Sequence, residues 1–238
     1  AAWKVRTRFN FQWDPDRFAD PKASLAALRS LDFRVCVWEY PCVSVHDPLF
    51  AELAQRHYLL TTDLGDPYVY HWDTDPATSL YGDALTPPPD SGIVDFTNPA
   101  AYAWWRDQHK KLIDDGVDAF EAGFGEQVPA NAVAFNGDHG TRLHNVYPQL
   151  FNQCVHDAAA RFQPKEAGPA VIWSRAGWSA SQRHPVRPVG EVGERDDRLG
   201  AHAHDVAQQR LDVLHHLQRR QAQYRVERIV AEQAKAFF

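Results

Sequence analysis

Two glutamates flank a glycine at the end of an apolar segment, in the stretch "GVDAFEAGFGEQVP". The apolar residues predict a buried strand, and such a strand in an α/β enzyme often ends at the carboxylate that reacts. Glu121 and Gly123 lie on the same face of this strand because side chains alternate, and Glu126 follows in the loop. Carboxylates serve as nucleophiles or transfer protons, so the spacing predicts a carboxylate site with no side chain at its centre.

Aromatic side chains are abundant in the chain, with 8 Trp, 13 Phe and 8 Tyr. Their flat faces pack well on sugar rings, which favours a carbohydrate site. Packing in the hydrophobic core is the alternative for each of them.

Predicted strands and helices alternate along residues 1–190. The apolar segments "FRVCVWEYP", "GIVDFTN", "VDAFEAGF" and "PAVIWSRAG" predict strands. Helices are predicted from Asp20-Pro21, from Asn98-Pro99 and over 142–162. This order predicts parallel βα units, and therefore an α/β fold that forms part of a (β/α)8 barrel. A doubly wound sheet is the alternative, but no glycine-rich phosphate fingerprint follows the early strands.

The remaining segments differ in pattern. The first, "WKVRTRFNFQWD", predicts a strand that runs into a loop. Residues 61–91 and 125–141 predict long loops on the active face, where long ordered loops tend to be functional. Residues 191–238 are rich in Gln, Arg, Asp and His and predict a polar helical tail of unassigned role.

Composition excludes several classes of function. The net charge of −6 argues against nucleic acid and against an anionic membrane as partners, and no apolar run reaches the length of a membrane span. The three cysteines and the histidines of the tail match no closed metal site. An odd number of cysteines and the lack of a signal-peptide pattern favour a reducing, cytoplasmic location.

Six motifs carry a resemblance to a known family. They occur in the order "FQWDPDRFADP", "FRVCVWEYPCVSVHDPLFAELA", "GIVDFTNPAAYAWWRD", "GVDAFEAGFGEQVP", "NGDHGTRLHNVYPQLFN" and "VIWSRAGWSASQRHPV". Over residues 9–187 the chain resembles glycoside hydrolase family 31, and within it the bacterial α-xylosidases and α-glucosidases. The resemblance implies the middle of a (β/α)8 barrel that acts on α-linked sugars with retention of configuration. Retention uses two carboxyl groups about 5–5.5 Å apart.

The chain departs from this family at the reactive residues. The family nucleophile is the aspartate of a Lys-Thr-Asp-Phe-Gly-Glu motif, and "EAGFGE" places Gly123 at that position. Glu121 then replaces the sugar-binding lysine, and Glu126 matches the glutamate that is not the nucleophile. The general acid falls on Glu191, after "SQRHPV". Either glutamate of the motif replaces the nucleophile, or the glycine leaves room for water, azide or an activated donor.

The supporting residues follow the family more closely. Arg175 in "SRAGW" matches an arginine that bonds near the nucleophile and the sugar, a task that suits a guanidinium. Trp38 matches an aromatic residue that lines the sugar site, and Phe9 and Trp13 fall near aromatic wall positions. A strand-end salt bridge is the alternative for Arg175, and core packing is the alternative for the aromatic residues.

The resemblance therefore implies a retaining α-glycosidase-like domain that hydrolyses α-linked xylosides or glucosides and needs no metal or cofactor. A non-catalytic relative that binds α-glycans is the first alternative. A protein that interacts through its helical tail is the second. The predicted partners are an α-linked oligosaccharide or glycoside and further copies of the chain. A partial barrel leaves open strand edges, so the missing strands are expected to come from more of the same protein.

Overall fold

Strands and helices alternate along the chain in the computed structural model, which describes residues 2–73, 87–167 and 170–177. The helices are α1 (Pro21–Ser30), α2 (Pro48–Gln55), α3 (Pro99–Asp115), α4 (Gly140–Leu143) and α5 (Tyr147–Phe162), followed by a 3-10 turn, Lys165–Ala167. The strands are β1 (Cys36–Glu39), β2 (Cys42–Ser44), β3 (Val69–Tyr70), β4 (Ser91–Ile93), β5 (Ala119–Ala122) and β6 (Ile172–Ser174).

A parallel sheet in the order β1-β5-β6 forms the centre of the described structure. The register aligns Trp38 of β1 with Glu121 of β5, and Glu121 with Trp173 of β6. Helix α3 leads into β5, and α5 leads towards β6. The prediction of parallel βα units is confirmed for these strands.

The two faces of the parallel sheet have different surroundings. One face carries Val37, Phe120 and Ile172, which are buried. Helix α5 packs against β5 and β6, and the ring of His109 in α3 lies 4.8 Å from the ring of Phe120. The opposite face carries Trp38, Glu121 and Trp173, which keep exposed surface. We refer to this second side as the open face, and it corresponds to the interior side of a closed (β/α)8 barrel.

A buried polar cluster joins β1 to α3 on the side of the sheet opposite the open face. The carboxylate of Glu39 lies 2.8 Å from His109 Nε2 and accepts a hydrogen bond of 3.2 Å from the indole of Trp105. The other ring nitrogen of His109 bonds to the carbonyl of Trp105 at 2.9 Å. All of these polar atoms have partners, as buried polar groups require.

The helix starts predicted at Asp20-Pro21 and Asn98-Pro99 are confirmed. The side chain of Asn98 accepts a hydrogen bond from the amide of Ala100, at the start of α3. Asp20 caps α1 in the same way through the amide of Ala23. These short polar side chains satisfy amides that have no partner within the helix.

The prediction of a strand at residues 3–14 is wrong. Arg8 and Phe11 adopt left-handed backbone angles, with φ of 55° and 62°, which break an extended conformation. The segment instead folds into turns, and the ring of Phe11 packs against Trp105 at 4.7 Å.

The strand predicted from "GIVDFTN" exists as β4, but it belongs to a second, antiparallel sheet in the order β2-β4-β3. Its apolar residues indicated burial and carried no information about strand direction. The single helix predicted over 142–162 is two helices. Pro148 lies in the first turn of α5, and its ring is incompatible with a helix that continues from the residues before it.

The tail lies outside the described residues. The chain divides into two units, Ala1–Pro188 and Val189–Phe238, and the predicted role of 191–238 stays a prediction. Among the described helices, none is long and apolar enough to cross a bilayer.

Candidate active site

The predicted site residues meet where the parallel strands end. Trp38 lies on β1, Gly123 directly follows β5, and Arg175 directly follows β6. The carboxyl ends of parallel strands carry the reactive groups of (β/α)8 enzymes because these ends open onto one common surface. The structure therefore brings Trp38, Gly123 and Arg175 to one edge of the sheet, together with Glu126.

An aromatic cluster, formed by Trp38, Tyr40, Trp72 and Phe124, surrounds this edge. The indole of Trp38 stacks on the ring of Tyr40, with centroids 4.9 Å apart and planes 22° apart. Phe124 lies edge-on to Trp38 at 6.0 Å and to Trp72 at 5.1 Å. Such offset and edge-to-face contacts hold the rings in defined orientations.

The backbone turns sharply after β5. Phe124 has a φ of 63° and Gly125 has a φ of 108°, both in the left-handed region. A Cβ atom at Gly125 would lie 3.3 Å from the Cα of Pro148 in α5, so the turn combines unusual angles with close packing. The turn places Phe124 in the aromatic cluster and carries the chain on to Glu126.

Arg175 and Glu126 form an ion pair beside this turn. The Nε and Nη2 of Arg175 both donate to Oε1 of Glu126, the Nε bond measuring 2.6 Å. The guanidinium carbon also lies 4.3 Å from the ring centre of Phe124, within the range of a cation–π contact. Within the described part of the chain, Oε2 of Glu126 is buried and has no hydrogen-bond partner.

Glu121 lies on the open face between two tryptophans. Trp38 and Trp173 are its register partners on the neighbouring strands. The residue as a whole is exposed, yet partial burial of its carboxyl raises the pKa of Glu121, and the positive charge of Arg175 opposes that rise. Glu126 is instead ion-paired with Arg175, so the two carboxyls have different electrostatic environments.

Gly123 has only its backbone to contribute to the site. Its amide donates a hydrogen bond of 2.8 Å to the carbonyl of Glu39, which ties the end of β5 to β1. No carboxylate projects from this residue into the space between Trp38 and Arg175.

Two predicted wall residues lie in the core instead. Phe9 has no exposed surface, and its ring packs against Trp3 and Trp105. Trp13 is 9% exposed, and its indole donates a hydrogen bond of 2.9 Å to Asp115. In this structure neither ring offers a face to a sugar. The predicted general acid, Glu191, lies outside the described residues.

Three aromatic residues around the site were not among the predicted site residues. Tyr40 and Phe124 lie at the ends of the predicted strands "FRVCVWEYP" and "VDAFEAGF", so their position at a strand end could have indicated them. Trp72 lies in the long loop 61–91, and its contacts with Tyr40 and Phe124 identify it as part of the site. Among the described residues, no group of His, Cys, Asp and Glu could hold a metal ion.

Most of the chain matches a known protein family. Residues 1–206 match the model of the glycosyl hydrolases family 31 TIM-barrel domain. The chain is 36% identical over 183 residues to the α-xylosidase XylQ of Lactiplantibacillus pentosus, a match that covers 76% of the chain and 21% of that protein. It is 27% identical over 180 residues to a sulfoquinovosidase of Escherichia coli K12, covering 75% of the chain and 24% of that protein.

Solved structures show the same fold. A family 31 dextranase of Flavobacterium johnsoniae, complexed with glucose, superimposes with a TM-score of 0.66 at 22% identity. The match covers 81% of the chain and 23% of the dextranase. The chain therefore spans about a fifth to a quarter of the length of the proteins it matches.

Proposed function

The chain belongs to glycoside hydrolase family 31, and from this premise we propose that its site takes an α-linked xylosyl or glucosyl unit. The observation that carries the proposal is the convergence of Arg175, Glu126 and Trp38 at the ends of β1, β5 and β6. An indole face and a few directed polar groups are the elements with which proteins bind a sugar ring. The α-xylosidase relative supports an α-xyloside as the first ligand to test.

Each residue of the site has a task in this proposal. Trp38 provides a partly exposed aromatic surface for the sugar ring. Arg175 is held by Glu126 and Phe124, so its remaining N–H groups are oriented before a ligand binds. The unpaired Oε2 of Glu126 is a buried acceptor that a sugar hydroxyl can satisfy.

The covalent step of a retaining mechanism has no nucleophile at residue 123. Retention requires a carboxylate that forms a bond to the sugar, and glycine cannot form it. We therefore propose that this chain binds the α-glycoside and forms no covalent bond to it at Gly123.

A second candidate is hydrolysis through Glu121 and Glu126. The observation that favours it is the contrast between a carboxyl whose pKa is raised by burial and one that is paired with Arg175. Carboxyls in contrasting environments are how glycosidases divide the roles of acid and nucleophile. Turnover of an aryl α-xyloside that is lost in both Glu121→Gln and Glu126→Gln would support this candidate.

Calorimetric titration of methyl α-D-xylopyranoside into the full chain tests recognition. Methyl β-D-xylopyranoside is the matched ligand control, because it differs only at the anomeric carbon. We expect binding of the α-anomer, and a loss of affinity of about tenfold or more in Arg175→Ala, since hydrogen bonds to a charged group contribute roughly 1.5–3 kcal/mol.

Arg34→Ala is the matched protein control for this titration. Arg34 pairs with Asp118 at the opposite end of the parallel sheet, so its removal should leave affinity unchanged. Equal binding of both anomers, or equal effects of the two arginine substitutions, would contradict the proposal.

A further inference from the structure

Glu121 brings a negative charge to the open face that no described residue pairs. Among the ion pairs and hydrogen bonds of the described residues, none includes the carboxyl of Glu121. The charge of Arg175 acts on this carboxyl, but both the Nε and the Nη2 of Arg175 are bound to Glu126. Two carboxyls therefore share one guanidinium, and one of the two negative charges at this edge of the sheet is left without a partner.

The surroundings of Glu121 differ from those of a solvated surface glutamate. Partial burial raises the pKa of its carboxyl, which shows that part of its hydration is lost. A carboxylate that loses water without gaining a partner is unfavourable, so a cation that binds beside it is stabilised.

Two tryptophans stand beside this carboxylate. Trp38 and Trp173 are the register partners of Glu121 on the strands to either side, and both keep exposed surface. Neighbouring strands lie about 4.8 Å apart, so the three side chains form one row across the open face. The electron-rich face of an indole attracts cations, and a carboxylate between indoles is a combination that suits an organic ammonium group.

The neighbouring residues on the open face bring no compensating charge. Cys36 precedes Trp38 by two residues and shares its face. Partial burial and the charge of Glu121 raise the pKa of this thiol to about 12, so it is neutral at pH 7. Its register partner on β5 is Ala119, which has no ionisable group.

We propose that Glu121 makes this site selective for an α-glycoside whose sugar carries a protonated amine. This inference rests on the proposed α-glycoside site. The ammonium group pairs with the carboxylate of Glu121 and lies beside Trp38 and Trp173, while the remaining hydroxyls of the sugar bind the polar groups of Arg175 and Glu126. Anionic sugars are disfavoured for the same reason, because they bring a second negative charge to Glu121.

Calorimetric titration of two amino glycosides into the full chain tests this selectivity. The ligands are methyl 2-amino-2-deoxy-α-D-glucopyranoside and its 6-amino-6-deoxy isomer, and methyl α-D-glucopyranoside is the matched neutral ligand. At about pH 6.5, where such amines are protonated, we expect at least one amino glycoside to bind about tenfold tighter than the neutral ligand. Glu121→Gln should remove this preference and leave the affinity for the neutral ligand within about twofold of the native value.

Glu52→Gln is the matched protein control, because it removes an exposed negative charge on α2. The tenfold preference should persist in this variant. Equal affinity of the native chain for amino and neutral glycosides would overturn the inference, as would a preference that survives Glu121→Gln. Should Glu121→Gln fail to fold, Glu121→Ala replaces it.

The same titrations separate this inference from the proposed function. If the neutral glycoside binds and the amines bring no gain, the inference about Glu121 is overturned while the α-glycoside site stands. If neither the neutral nor the amino glycosides bind, the α-glycoside site is refuted and the inference with it.

Discussion

At the scale of single residues, the site is defined by which side chain occupies which space. The motif "EAGFGE" was sufficient to predict that residue 123 brings no carboxylate. It could not reveal that Trp38 lies next to Gly123, because that contact joins residues on two strands. Phe9 was likewise not predictable, because the sequence does not distinguish an aromatic residue that lines a site from one that packs in the core.

Glu121 should make the stability of the chain depend on pH. Burial raises the pKa of this carboxyl above its ordinary value, so the folded chain retains the proton that the unfolded chain has lost. The contribution of Glu121 to stability is therefore fully present below about pH 4.3, the ordinary value for glutamate, and is lost as pH rises through the folded value. Glu121→Gln should be more stable than the native chain at pH 7 and indistinguishable from it at low pH.

Urea unfolding at a series of pH values measures this difference. Glu52→Gln, at an exposed glutamate on α2, controls for the loss of a negative charge. A native chain that is as stable as Glu121→Gln at pH 7 would contradict the assignment.

At the scale of elements, the buried cluster of Glu39, Trp105 and His109 joins β1 to α3 next to Trp38. Glu39 and His109 have no exposed side-chain surface, and the carbonyl of Glu39 also binds the amide of Gly123. The cluster thus links the helix, β1 and the end of β5. Removing His109 would leave the carboxyl of Glu39 buried with one hydrogen bond fewer, since the indole of Trp105 is its remaining partner.

His109→Leu should lower the free energy of unfolding by roughly 3–5 kcal/mol, because it leaves the carboxyl of Glu39 buried with the indole of Trp105 as its remaining partner. The matched control is Lys110→Met on the same helix, which breaks an exposed pair with Asp114 and should cost at most about 0.5 kcal/mol. Urea unfolding measures both. Similar costs for the two substitutions would show that the buried pair does not hold α3 against β1.

The elements themselves were predictable where local signals were strong. Asn98-Pro99 marks the start of α3, and the apolar segments mark β1, β5 and β6. The antiparallel pairing of β4 was not predictable, because strand direction depends on partners distant in the sequence. The turns at residues 3–14 were missed because left-handed angles at Arg8 and Phe11 have no glycine to indicate them.

At the scale of the whole molecule, the parallel sheet is a segment of a (β/α)8 barrel. Its open face, with Trp38, Glu121 and Trp173, corresponds to the side that points into a closed barrel. The chain spans 21% of the α-xylosidase XylQ, so the substrate and activity of a whole protein remain proposals. Association of the chain with further copies stays a prediction, which sedimentation of the full chain can test.

The central claim is that this site binds an α-glycoside but forms no covalent bond to it. The most direct measurement combines calorimetric titration of methyl α-D-xylopyranoside with intact-mass analysis of the chain after incubation with 5-fluoro-α-D-xylopyranosyl fluoride, a reagent that traps glycosyl-enzyme intermediates. We predict saturable binding of the glycoside and an unchanged protein mass. A covalent glycosyl adduct, whether on Glu121, on Glu126 or elsewhere in the chain, would contradict the claim.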